Sequence, residues 1–141
     1  MKSRIPLWLG VCAAGMLFCT HVLAEDNVYK STRQYKGQEY QIILPISHFA
    51  DRTAYDPNKQ NLPAPLTQLI ATAKKQMTYI EPDTVTWQAF HVELVRSKVG
   101  ARSYWYLRIG LASDRGGEFV TCLTPHGEPA KLVKVTRTRL N

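Results

Sequence analysis

The sequence predicts an α+β domain in which one helix packs on a curled four- to five-stranded antiparallel sheet. Three observations carry this. A single segment, Pro65 to Met77, repeats apolar residues at helical spacing. From Trp87 onward the chain breaks into strand-like runs divided by Gly, Pro and Asp. One apolar helix stripe and one apolar sheet face satisfy each other when a ribbon wraps a rod.

The amino terminus gives a destination. Lys2 and Arg4 open the chain, an apolar run from Ile5 to Phe18 follows, and Val22-Leu23-Ala24 precedes the acidic pair Glu25-Asp26. A basic start, a short apolar centre and small residues before a cut make a secretory signal. The expectation is a signal peptide over residues 1–24, cleaved after Ala24, and a secreted or periplasmic product. As an uncleaved anchor, Ile5 to Ala24 would just span a bilayer, which takes ~20 predominantly apolar residues. Thr20 and His21 interrupt that run. Bulky Phe18 before Cys19 disfavours a lipoprotein. No second apolar run is long enough to span, so the cleaved chain is expected not to be membrane-embedded.

Removing 24 of 141 residues leaves 117, the size of one ordinary domain. The 18 basic residues less Lys2 and Arg4 leave 16 against 11 acidic ones, a formal charge of +5. Such a charge could favour anionic partners such as lipid headgroups, polysaccharide or acidic proteins, but a soluble domain with scattered surface Lys and Arg is the better account of it. Cys12 and Cys19 leave with the signal, so Cys122 stands alone and no intramolecular disulfide forms. In the run Glu118 to Leu123 such a residue behaves as a small buried hydrophobe; a catalytic or partner-linking thiol is the sharper alternative.

Residues 25–37 are polar and expected to be loose or peripheral, and residues 38–141 to form the single α+β domain. Gln38 to Leu44 reads as a strand with Tyr40, Ile42 and Leu44 on one face. Pro45 ends it. Ile46 to Asn61 has no clean period, a connection long enough to suggest a functional role. In the helix, Pro65 suits the first turn, Leu66, Leu69, Ile70, Ala73 and Met77 form the buried stripe, and Gln68, Thr72, Lys75 and Gln76 face away.

The first hairpin of the sheet is expected to turn at Val99-Gly100, which sets Leu94 opposite Trp105, Val92 opposite Leu107 and Phe90 opposite Ile109 on the apolar face. The other face then pairs Val95 with Tyr104, Glu93 with Tyr106 and His91 with Arg108. Trp87 and Ala89 fall out of phase, which predicts a bulge near Ala89. Phe119 to Leu123 is the next strand, Pro125-His126-Gly127-Glu128-Pro129 a turn, and Leu132 to Val135 the last strand of a four-stranded meander.

This order resembles the cystatin fold, in which a strand and a long helix precede a four-stranded meander that wraps the helix. The likeness covers Pro65 to Arg139. Ser97-Lys98-Val99-Gly100 lies in the first hairpin and Leu123-Thr124-Pro125-His126 in the second, where cystatin inhibitors carry Gln-x-Val-x-Gly and Pro-Trp. The resemblance implies cysteine-protease inhibition through those two loops, with Gly37 as the counterpart of an N-terminal Gly. Arg96 and Lys98 stand where the inhibitors have Gln and Val, and no Trp follows Pro125. Exported PepSY-type modules look similar at the level of fold.

No catalytic set has diagnostic spacing. His91 with Glu93, and His126 with Glu128, are two apart, short of the three ligands a metal site needs. Cys122 and His126 are the one conceivable nucleophile pair. Asp26, Glu39, Asp51, Asp56 and Asp83 show no paired-carboxylate signature. The outer face of the hairpin carries Tyr104, Tyr106 and Arg108, an aromatic strip with a cation, unless Trp87 or the Ile46 to Asn61 segment covers it. The resulting expectation is an exported, non-catalytic binding domain for a protein or peptide. Its contact residues are Lys98, Val99, Gly100, Tyr104, Tyr106, Arg108, Pro125 and His126. No cofactor, metal or nucleic acid is expected, and the oligomeric state is left open. The alternatives are a cystatin-like inhibitor and a metal-dependent or thiol hydrolase.

Overall fold

Two antiparallel hairpins and one helix organise the described part of the chain, seen in a computed structural model that describes residues 26–49 and 54–137. The expected signal peptide lies outside the described residues. In order come β1 (Asn27–Tyr35), β2 (Gln38–Pro45), a 3-10 turn (Ile46–Phe49), α1 (Leu66–Gln76), a second 3-10 turn (Met77–Tyr79), β3 (Trp87–Val99), β4 (Arg102–Ser113), β5 (Glu118–Leu123) and β6 (Lys131–Lys134).

The helix forms where the periodicity places it. The carbonyl of Pro65 accepts bonds from the amides of Gln68 and Leu69, so the proline starts the helix without a missing donor inside it. Leu69, Ala73 and Met77 are fully buried, while Lys74 and Lys75 occupy the last turn, where the helix dipole favours cations. Gln76 departs from expectation. It points inward: its amide nitrogen donates to the carbonyl of Ala130, and its Oε1 accepts from the Thr121 hydroxyl at 2.6 Å. A buried Thr121 on β5 needs a partner, and the last helical turn is the element that reaches it.

The strands form two antiparallel sheets of three, β1-β2-β6 and β3-β4-β5, rather than the single curled sheet expected from sequence. The segment expected to be loose is strand β1, pairing Tyr29 with Leu44, Ser31 with Ile42 and Arg33 with Tyr40. Its polar sequence reflects which side chains are exposed: Val28 and Tyr35 are buried and most of the others face water. Lys36 and Gly37 close this hairpin at φ 47° and 79°, a two-residue turn whose twist matches the strands.

The last strand does not extend the meander. Pro129 has no N–H to donate, so beyond one bridge to Leu123 and the bond from Ala130 N to Cys122 O the chain leaves β5. It joins the free edge of β2 instead, with Ile42 opposite Leu132 and Tyr40 opposite Lys134.

In β3–β4 the faces are as expected but the register is two residues away. Leu94 opposes Leu107, Val92 opposes Ile109, and Glu93 opposes Arg108. Gly100, at φ 59°, takes the first central position of the turn, so Val99 and Arg102 close it. The bulge lies between Ala89 and His91. It turns Phe90 off the apolar face, to a position 55 % exposed with its ring over Gly110. Leu107, Ile109, Leu111, Phe119 and Leu123 instead share one core with Leu69, Ala73, Met77 and the β2 residues Tyr40, Ile42 and Leu44.

Candidate functional site

The 3-10 turn after β2 brings His48 and Phe49 to the start of β4, and the β5–β6 turn closes on the same place. Between these three segments lies a cleft of about 520 Å³. Ile46, His48 and Phe49 form one side, with Ala54 and Tyr55. Arg102 to Trp105 form a second, and Thr124, Pro125 and His126 a third.

Each wall has a local cause. Pro45, the last paired residue of β2, has no N–H to donate, and the chain leaves the strand there in a 3-10 turn. Phe49 then meets Tyr104 edge-on, ring centroids 5.2 Å apart. The third wall is fixed by Thr124, a buried residue whose hydroxyl accepts from the amide of Glu128 and whose backbone amide donates to the carbonyl of Glu128. The carbonyl of Pro125 accepts from Ala64 at 3.3 Å, tying this turn to the segment before the helix.

The described lining of the cleft is one-sided in charge. Among the described residues its lining has one guanidinium, Arg102, two imidazoles, His48 and His126, and no carboxylate. His48 Nδ1 is buried without a hydrogen-bond partner among the described residues.

The residues expected from sequence divide. Tyr104, Pro125 and His126 line the cleft. Lys98, Val99 and Gly100 sit on the adjoining hairpin tip and are not part of the lining. Tyr106 is buried with its ring tilted against that of Tyr29, centroids 5.5 Å apart, and burial pushes its phenol up to about 12. Arg108 lies farther along the strand, paired with Glu93, which also has His91 at 3.5 Å. The hydrogen bond to Arg108 holds the Glu93 carboxyl below its ordinary range. The aromatic strip is therefore divided, with Tyr104 under Phe49 and Tyr106 under Tyr29.

Sequence reasoning missed His48, Phe49, Tyr55, Arg102, Ser103 and Trp105. The one signal was the length of the connection after Ile46, which marked a region without naming its side chains. Trp105 was assigned wholly to the core and is half-buried at the cleft wall.

Cys122 is fully buried, opposite Arg108 on β4, and burial pushes its thiol up to about 12. Among the described residues no three His, Cys, Asp or Glu side chains converge as a metal site would require, and no helix is long and apolar enough to cross a membrane. Comparison with protein-family models, curated proteins and solved structures found no match for this chain.

Proposed function

We propose that the mature chain is an exported, non-catalytic binding domain that holds a segment of a protein or peptide in the cleft between Phe49, Tyr104 and Pro125. The supporting observation is the cleft itself. Its volume of about 520 Å³ falls within the ~300–1,000 Å³ typical of ligand sites, which are mostly apolar with a few convergent polar groups. Phe49, Tyr55, Tyr104 and Trp105 supply rigid aromatic surface, which binds at low cost in side-chain entropy. The neutral, water-excluded thiol of Cys122 favours binding over thiol chemistry.

Selection of a random peptide library on the purified chain tests this. Selected peptides should lose binding to Ser103→Trp, which fills the cleft from an exposed position, and keep binding to Phe90→Ser on the far face. Peptides indifferent to Ser103→Trp would overturn the reading.

Cystatin-like inhibition is the second reading, and one observation favours it. The β3–β4 hairpin and the Pro125 turn flank one cleft at the same end of the second sheet. Titration against a papain-type protease decides it, and absence of inhibition at micromolar concentration removes it.

A further inference from the structure

Resting on the peptide-binding reading, we propose that the cleft captures the free C-terminal carboxylate of a peptide whose last residue is apolar or aromatic. Charge is the first argument. Arg102 is exposed, makes no ion pair among the described residues, and is the one guanidinium in the described lining of the cleft. Arg96 and Lys98 project from the same hairpin, both exposed. Glu128 follows in the opposite turn but is exposed and outside the lining. Among the described residues, an anion entering the cleft meets the guanidinium of Arg102 and no carboxylate.

The second argument is an unmet hydrogen bond. His48 lines the cleft, and its Nδ1 is buried without a hydrogen-bond partner among the described residues. A buried polar atom left unpaired is costly, so a ligand oxygen that accepts from it gains more than it would at an open surface.

Shape and reach supply the third. Phe49, Tyr55, Tyr104 and Trp105 form the apolar wall of the same space. A chain end carries its carboxylate and its last side chain on one α-carbon, so both reach their walls together. An internal segment has no backbone charge to offer Arg102. Guanidinium groups bind carboxylates through paired N–H donors, which also fixes the ligand's orientation.

The experiment is calorimetric titration of the mature chain, with Trp105 fluorescence as a second readout. The probes are Ala-Ala-Gly-Phe as the free acid, the same peptide amidated, and 3-phenylpropionate. The free acid should bind at least about 10-fold more tightly than the amide, the scale of one charge-assisted hydrogen bond. Arg102→Gln should erase that difference between acid and amide. His48→Phe should weaken the acid more than the amide. Equal binding of acid and amide overturns the carboxylate assignment while the peptide-binding reading stands. Binding of 3-phenylpropionate as tight as the peptide assigns the site to small carboxylates and overturns it as well. If neither peptide binds while library-selected peptides still respond to Ser103→Trp, only the present proposal fails.

Discussion

Thr121 on β5 donates its hydroxyl hydrogen to Gln76 Oε1 on the helix, 2.6 Å away, in a place where Thr121 is fully removed from water. The other end of the same amide reaches the Ala130 carbonyl, so one side chain joins the helix, β5 and the approach to β6. Thr121→Val is expected to cost about 1–2 kcal/mol, and Gln76→Ala about 2–4 kcal/mol because it strands two buried groups. With Gln76 already replaced, Thr121→Val should be close to neutral. Urea unfolding of the four proteins in the cycle checks this, and additive costs would show that the two groups do not interact.

Gly110 and Gly117 make a paired test of where a methyl group can go. A Cβ at either position would come within 2.7 Å of an aromatic carbon, Phe90 Cζ or Tyr35 Cε2 respectively. Phe90 is 55 % exposed and free to swing outward, whereas Tyr35 is buried between Trp87 and Phe119. Gly117 also has φ 102°, where an L side chain is strained. Gly110→Ala should cost less than about 1 kcal/mol and Gly117→Ala about 2 kcal/mol or more. Thermal unfolding of the two variants gives the order directly.

Lys36 holds a left-handed turn position that suits Gly or Asn, and Glu81 holds Lys36, Nζ to Oε1 at 2.6 Å. Lys36→Gly and Lys36→Ala both remove the ion pair, but only Ala keeps the strain, so Gly should be the more stable by about 1 kcal/mol. The hydrogen bond with Lys36 lowers the Glu81 pKa and the same contact raises that of Lys36. The carboxylate's contribution is therefore in place above the ordinary Glu range and is lost as pH falls through its folded value. The ammonium's contribution is in place below the ordinary Lys value and is lost as pH rises through its folded one. Both variants should show a flatter acid limb in stability against pH than the parent, measured by urea midpoint.

Cys122 and Tyr106 both contribute a loss of stability at alkaline pH. Both are pushed up to about 12 by burial, from ordinary values of 9.0 and 10.0. Between those values the unfolded chain releases protons that the folded chain retains, so stability is full below about pH 9 and falls as pH rises. The slope approaches about 1.4 kcal/mol per pH unit for each group in its titrating range. Cys122→Ala should remove the loss that begins near pH 9 and leave the Tyr106 limb beginning near pH 10. An unchanged profile would mean that the thiol ionises in the folded protein without penalty.

Local periodicity carried the helix, because the burial of Leu69, Ala73 and Met77 on one stripe needs only the 3.6-residue turn. It carried the bulge near Ala89 and the side of the ribbon on which Leu94 and Leu107 each lie for the same reason, since alternation along one strand is a property of that strand. Strand β1 was hidden by its polar surface, and its hairpin was marked only by Gly37. Register moved by two residues because both pairings keep the same faces and the turn's preference for Gly100 in its first central position decided between them.

Partner choice is where sequence reasoning stopped. Whether β6 adds to β5 or to β2 depends on which edge is free and which can accept a chain beyond Pro129, and those edges belong to residues far apart in the chain. The inward turn of Gln76 follows from the position of Thr121, 45 residues away, which no helical period contains. The candidate site shows the same division. Tyr104, Pro125 and His126 were legible as residues in loops and on an outer face. The cleft they share with Phe49 and Arg102 exists only because folding brings three separate segments to one end of the second sheet.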